Sequence, residues 1–394
     1  MTTTNREARR TKIVATVGPA SAGEEQLGEL IAAGVDVFRL NFSHGTHAEH
    51  GAVIDRIRRV ADGRDIAVLQ DLAGPKLRLD APVEGEAGDV VPISLPPGVA
   101  AGDPVLLGDG ALALEVVDEG HARLLTAGSV AEGKGINLPS SCLDLPALTD
   151  ADARALEFGL RRGVDLVALS FVQGPEDLDV VRQAGIPVIA KIERAGALDR
   201  IEAIIDAADC IMVARGDLGV EIPFERVPLV QKRIIRMANE RAKPVITATQ
   251  MLLSMVHNRM PSRAEVADVA NAALDGTDAV MLSEETAVGA HPAEAVRAMD
   301  RILAEVQPEI RPTDATARDA ANVIAAAACE AADALGAAAL IVLTRSGASA
   351  RRVACRRPRV PILALATDEA LRRRMAPLWG VHAVAVDADF SAEG

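Results

Sequence analysis

Two carboxylates and one ammonium define the chemistry open to this chain. Lys191 and Glu193 close the apolar run 187–193 (PVIAKIE), and Asp217 follows the next apolar run, 210–214 (CIMVA). Such runs predict buried strands. Alternate strand residues point the same way, so Lys191 and Glu193 face one cavity, with Asp217 arriving from a neighbouring strand end. Hard carboxylate oxygens suit Mg²⁺, which keeps coordination positions open for substrate oxygens. A compact ammonium answers a phosphoryl group or an enolate oxygen. On these three residues alone, a structural Lys–Glu pair capping two strands fits equally well.

The elements that must position them are strands alternating with helices. The first three strands are 12–18, 35–41 and 65–72, with helical spacing over 24–33 and 47–61 between them. From 79 to 136 the pattern changes to short alternating runs rich in Gly and Pro, which predicts an inserted all-β unit. Helical units resume at 149, where Thr149 is an N-cap with Asp152 three residues on. Five further strands follow, at 165–171, 187–193, 210–216, 243–250 and 278–283. Eight strands with intervening helices predict a (β/α)8 barrel. Arg39, Asn41, Ser43, Asp71, Ser170, Lys191, Glu193, Asp217, Thr247, Thr249 and Ser283 then stand at or just beyond the C-terminal ends of seven of the eight strands. Polar groups there converge on one mouth, which favours an active site over isolated structural pairs. After about 306 a linker leads to a small open parallel α/β unit. The expected domains are a barrel over 1–78 and 140–306, a β-rich lid over 79–139, and a C-terminal α/β domain over 307–394. No internal repeat is evident.

Composition narrows the function classes. The chain has 394 residues, 49% hydrophobic content, 2% aromatics and no Tyr, so its cores are aliphatic. A net charge of −14 argues against nucleic acid or an anionic membrane as main partner. Cys142, Cys210, Cys329 and Cys355 lack metal-ligand or pairing spacing, which suggests reduced thiols in a cytoplasm. Neither a signal peptide nor a bilayer-spanning run is evident. Only six of the 42 basic residues are lysine, at positions 12, 76, 134, 191, 232 and 243, so each lysine carries information.

Read together, TKIVATVGPAS, FRLNFSHGTHAEH, GPKLR, KGINLP, LSFV, KIE, VARGDLGVEIP, KPVITATQML, PSRAEVADVANAALDGTDAVMLS and ETA resemble the pyruvate kinase family, in order and along nearly the whole chain. The resemblance implies a barrel interrupted by a mobile lid and followed by an α/β domain. It implies phosphoryl transfer from phosphoenolpyruvate to ADP, giving pyruvate and ATP, the last step of glycolysis. By matching motif positions, Glu193 and Asp217 would hold Mg²⁺ or Mn²⁺. Lys191 and Arg39 would meet the phosphoryl group, with Ser170 among the substrate ligands. The Gly216 and Asp217 amides would receive the substrate carboxylate. Thr249 would lie near the enolate carbon, with Ser283 in the same polar chain and Thr247 ranked below as core. Pro19, Asn41, His44, Arg78 and the lid residue Lys134 would hold ADP, with a second Mg²⁺ on its phosphates. Asp109 reads equally as a turn residue or a lid residue closing on the site. A homo-oligomer is expected, a dimer or tetramer, with the surface at 261–265 able to form a dimer.

Three departures from the family pattern matter. Asn41, Ser43, Asp71 and the Leu72 carbonyl match a monovalent-cation site, yet an acid found nearby in K⁺-requiring members is here Lys76. An ammonium there supplies the cation internally, so activity without K⁺ is expected. Glu284 stands where glycine is usual, and the lid is short. In the effector-type phosphate loop Thr344, Arg345, Ser346, Gly347, Ser349, the usual Arg is Ala348, and the chain ends at Gly394 ahead of the usual final helix and strands. Sugar-bisphosphate activation in its usual form is therefore not expected. Two rival readings remain: a different metal-dependent barrel enzyme acting on an enolate or 2-oxo acid, and a non-catalytic metabolite-binding relative.

Overall fold

The structure is a computed structural model that describes residues 9–108, 110–139, 146, 148–313 and 319–387. Its strands in chain order are β1 (Lys12–Thr16), β2 (Val37–Asn41) and β3 (Ala67–Leu72). Next come β4 (Val83–Gly85), β5 (Val90–Pro92), β6 (Pro104–Leu107), β7 (Leu112–Asp118), β8 (His121–Leu124), β9 (Gly128–Val130) and β10 (Ile136–Asn137). Then follow β11 (Leu166–Leu169), β12 (Val188–Ile192), β13 (Cys210–Ala214), β14 (Val245–Ala248) and β15 (Ala279–Leu282). The last three are β16 (Leu340–Leu343), β17 (Ile362–Ala366) and β18 (Val381–Ala385).

The eight predicted parallel strands close as β1-β15-β14-β13-β12-β11-β3-β2. Both faces of each strand are covered, which is why these runs read as unbroken apolar stretches. Inward residues such as Val14, Ile189, Met212 and Ile246 fill the barrel, and a larger aliphatic core lies between strands and helices.

Local signals set the helix starts. Thr46 with Glu49, Thr149 with Asp152 and Ser262 with Glu265 all form reciprocal capping boxes. Glu265 also accepts the Ser254 N–H at 2.6 Å and the Ser262 N–H at 2.7 Å. Burial pushes its carboxyl up, but the Ser254 and Ser262 bonds outweigh that and hold it below the ordinary value of 4.5. A depressed folded value gives stability that is present above the ordinary value and is lost as pH falls through the folded one. Glu265→Gln is expected to cost about 1 kcal/mol at neutral pH and to flatten the acid limb below about pH 4.5, as read by urea melts across that range.

The barrel floor holds a repeat that the sequence reading did not find. Asp36, Asp165, Asp209 and Asp278 each immediately precede a strand: β2, β11, β13 and β15. Each accepts an N–H from the first or second residue of the adjacent barrel strand: Ile13 at 2.9 Å, Val68 at 2.7 Å, Val188 at 3.1 Å and Val245 at 2.9 Å. Each also faces an arginine: Arg9, Arg58 with Arg373, Arg351 and Arg357 in turn. Three of those arginines come from the C-terminal unit, which therefore docks on the floor. Arg357 is the deepest. It meets both Asp278 oxygens at 2.9 Å and stacks 5.2 Å from the buried Trp379 ring.

The inserted segment forms an antiparallel sheet, β10-β6-β7-β8-β5, and a separate β4–β9 pair, around its own aliphatic core. Its root is a two-chain strap. Leu79 N–H donates to Lys134 O at 2.9 Å, Ile136 N–H to Leu77 O at 3.0 Å, and Arg78 bridges Gly135. Asp109, Cys142 and part of the barrel–lid junction lie outside the described residues. The C-terminal sheet is parallel, β16-β17-β18, as expected. A helix, Ala348–Ala354, starts within the TRSGAS segment, where Gly347 takes a left-handed conformation (φ 79°) and opens it.

Candidate active site

The site is built on strand ends. Lys191, on β12, is buried and reaches three neighbours: Glu193 Oε1 at 2.9 Å, Asp71 Oδ1 at 3.2 Å, and the Ser170 hydroxyl, to which it donates at 2.7 Å. Asp71, on β3, takes Arg39 Nε on its other oxygen at 2.6 Å. Arg39, on β2, is braced from below by Thr16, whose hydroxyl accepts its Nη1 at 3.0 Å. The Ser170 hydroxyl donates in turn to Leu72 O at 2.7 Å.

Charges follow this geometry. Burial pushes Asp71 up, but Lys191 and Arg39 outweigh it and hold the carboxyl below its ordinary value. Burial pulls Lys191 down, yet Asp71 and Glu193 raise it overall, so the ammonium stays charged. Burial lifts Glu193 above its ordinary value. Lys191 offsets only part of that, and Asp217 adds to the rise. A buried carboxylate strained by a second one nearby is a good cation ligand.

Asp217 sits in the first turn of the helix Arg215–Glu221. Among the described residues no three His, Cys, Asp or Glu side chains gather as a metal cage. Two carboxylates flanked by cations fit instead a Mg²⁺-type ion completed by substrate oxygens and water. The donor set of Glu193 and Asp217 therefore fits the implied ion.

The mouth carries backbone strain. Phe171 (φ 58°), Thr249 (φ 70°) and Gln250 (φ 55°) are left-handed without being glycine. Phe171 thereby turns its N–H onto Glu193 Oε2 at 2.8 Å. Thr249, a β-branched outlier, places its hydroxyl 2.7 Å from the Gly216 N–H, which donates to it. So the Gly216 amide, expected to be open for a carboxylate, is engaged by Thr249. Thr249 is locked in turn by Arg215, which donates to its carbonyl at 2.7 Å and pairs with Asp268 at 2.7 Å.

Other expected members are placed as follows. Ser283 is half-buried beyond β15 and donates its N–H to the buried Glu285 at 2.7 Å. Among the described residues, the Thr249 hydroxyl bonds to the Gly216 N–H and to Ala248 O, and no hydrogen bond joins it to Ser283. Thr247 is fully buried and hydrogen-bonded to Thr277 at 3.0 Å, a core role. Glu284 is exposed. Lys76 differs most from expectation. Its ammonium lies 3.8 Å from Asp217 Oδ1, while Asp71 is paired with Arg39 and Lys191. Asn41 accepts the Ser43 N–H at 3.2 Å, and Leu72 O is taken by Ser170.

Pro19, Asn41 and His44 line one cavity of about 640 Å³ with Thr16, Gly18 and Ala52. Gly18 is obligatory there, since a Cβ would fall 2.5 Å from Ala287 O. Arg78 and Lys134 lie outside that cavity, exposed on the lid strap, with Arg78 donating to Gly133 O at 2.9 Å. In the far unit, Arg345, Ser346 and Gly347 line a cavity of about 290 Å³ against the barrel floor, with Arg351 and Arg374. The sequence reading missed Thr16, Phe171, Arg215 and Glu285 as supports. All four stand inside recognised motifs, but only their partners reveal their roles.

Comparison with known proteins agrees with this architecture. The family model for the pyruvate kinase barrel domain matches residues 8–95 and 89–296, and that for the pyruvate kinase alpha/beta domain matches 322–393. Pyruvate kinase 2 of Synechocystis is 45% identical, over 96% of this chain and 71% of its own. The pyruvate kinase of Mycobacterium intracellulare is 45% identical, over 98% and 90%. A crystal structure of a pyruvate kinase from Cryptosporidium parvum superposes with a TM-score of 0.93 at 34% identity, covering 99% of this chain and 89% of that one. With both units matched, and a site of the corresponding residue types on the strand ends, the chain belongs to the pyruvate kinase family.

Proposed function

We propose that this enzyme transfers the phosphoryl group of phosphoenolpyruvate to ADP, giving pyruvate and ATP. One observation carries the reading: a buried, charged Lys191 held between Asp71 and Glu193, beside Arg39, with Asp217 close enough to Glu193 to raise it. Phosphoryl transfer asks little covalent work of a protein and much charge placement. Arg39 offers its fork to the phosphate. Lys191 spreads positive charge over the transferring group and the oxygen it leaves. Ser170 fixes the Lys191 direction. Glu193 and Asp217 hold Mg²⁺ or Mn²⁺, which when bound neutralises substrate oxygens. The Gly216 and Asp217 amides take the substrate carboxylate, Gly216 exchanging its Thr249 partner for it. Thr249 and Ser283 flank the carbon that is protonated.

ADP lies in the cavity of Pro19, Asn41 and His44, and its phosphates extend toward Arg78 and Lys134 with a second Mg²⁺. Ala52 is exposed on this cavity, so a larger side chain there folds. Ala52→Phe is expected to raise KM for ADP about tenfold and leave KM for phosphoenolpyruvate unchanged, in steady-state kinetics varying each substrate.

The enzyme works without K⁺. Arg39 and Lys191 already pair with Asp71, and Lys76 brings a further internal cation to the mouth, so the site needs no external monovalent charge. Pyruvate formation in K⁺-free buffer, with K⁺ then added back, tests this. Stimulation by an order of magnitude or more would overturn it. The units divide near residues 78, 140 and 306. The chain acts in the cytoplasm. No helix among the described residues is long and apolar enough to cross a membrane. A homo-oligomer forms through the barrel side, where Met260, Leu253 and Val266 flank 261–265 and are exposed. The loop Thr344–Ser349, with Arg351 and Arg374 nearby, is the candidate place for an anionic effector.

A further inference from the structure

We propose that Lys76 is a positioning residue that competes with the divalent ion for Asp217, so that metal occupancy and the order of the lid strap are linked. This rests on the metal-site reading above. Three observations converge on it. First, Lys76 springs from a turn only glycine fits. Its N–H donates to Gly74 O at 2.8 Å, and at Gly74 (φ 69°) a Cβ would fall 2.9 Å from the Phe171 ring. That same Phe171 gives its N–H to Glu193. Second, the Lys76 stem crosses the strap. A Cβ on Gly135 would lie 3.0 Å from Lys76 Cε and 3.7 Å from Nζ. Third, the ammonium ends 3.8 Å from Asp217 Oδ1.

The neighbouring carboxylate is held differently. Glu193 has one oxygen on the buried Lys191 and the other on the Phe171 N–H. Asp217 faces a lysine that is 30% exposed at its side chain and able to move. An ion arriving on Asp217 is repelled by an ammonium this close. Lys76 then swings off, and the contact across Gly135 that steadies residues 76–79 against 133–136 loosens. By linkage, whatever factor the strap contact takes from metal affinity, the metal takes from strap order.

The test is Mn²⁺ binding to the full chain without substrates, read by the electron paramagnetic resonance of free Mn²⁺, together with limited proteolysis of the strap. Lys76→Met is expected to tighten Mn²⁺ roughly fivefold to tenfold. Gly135→Ala, which keeps the charge but crowds the stem, is expected to tighten it in the same direction. Adding Mn²⁺ to wild type is expected to speed cleavage within the strap, and Lys76→Met to abolish that response. Unchanged or weaker Mn²⁺ binding in both variants overturns the proposal. Asp217→Asn separates the two readings. If it abolishes Mn²⁺ binding while Lys76→Met changes nothing, only the Lys76 role fails. If it leaves binding intact, the metal site is elsewhere and both fail.

Discussion

Lys191→Met abolishes turnover, by about a thousandfold or more, while phosphoenolpyruvate still binds. Removing a preorganised charge aimed at a developing oxyanion costs about two to three orders of magnitude even for a neutral donor. A buried ammonium does more, because water cannot replace it. The loss falls on kcat and not on binding, since Arg39 remains anchored by Asp71 and Thr16. Lys191→Arg recovers little: a planar fork does not fit the pocket that Ser170, Asp71 and Glu193 form around a point charge. The check is steady-state kinetics alongside substrate binding by fluorescence or calorimetry. A Met variant keeping a tenth of wild-type turnover would show that Lys191 is structural.

The second large effect lies on the opposite face. Arg357→Met destabilises the protein by about 3–5 kcal/mol, because Asp278 is left charged and buried without its partner. Arg357 is 1% exposed and Asp278 fully buried, so solvent does not rescue either. Asp278 keeps the Val245 N–H but loses both guanidinium contacts. The double variant Arg357→Met with Asp278→Asn is expected to lose less than the two singles together, as replacing both partners removes the stranded charge. Denaturant melts of the four proteins decide it. A single-variant cost under about 1 kcal/mol would mean the floor relaxes around the carboxylate.

These two residues show what the sequence could and could not disclose. Lys191 and Glu193 were legible because strand periodicity alone puts them on one side, and the barrel rule puts strand ends at one mouth. Thr149 and Asp152 were legible because a capping box is local. Arg357 carries no local sign of its role. Its partner is 79 residues away, and the GVD, GVD, AAD and GTD tripeptides before β2, β11, β13 and β15 look unremarkable until the barrel closes. The Gly216–Thr249 bond was hidden for a different reason: it depends on a left-handed Thr249 that no propensity favours. Lys76 was assigned by motif position as the internal cation of the Asn41, Ser43, Asp71 and Leu72 site, whereas the chain geometry across Gly74 and Gly135 brings its ammonium to Asp217.

The measurement that tests the central claim most directly is pyruvate and ATP formation from phosphoenolpyruvate and ADP, with Mg²⁺, in buffer free of K⁺ and NH₄⁺. The account predicts equal amounts of both products, dependence on Mg²⁺, and no need for K⁺. Folded protein that yields neither product, with K⁺ present or absent, would contradict it.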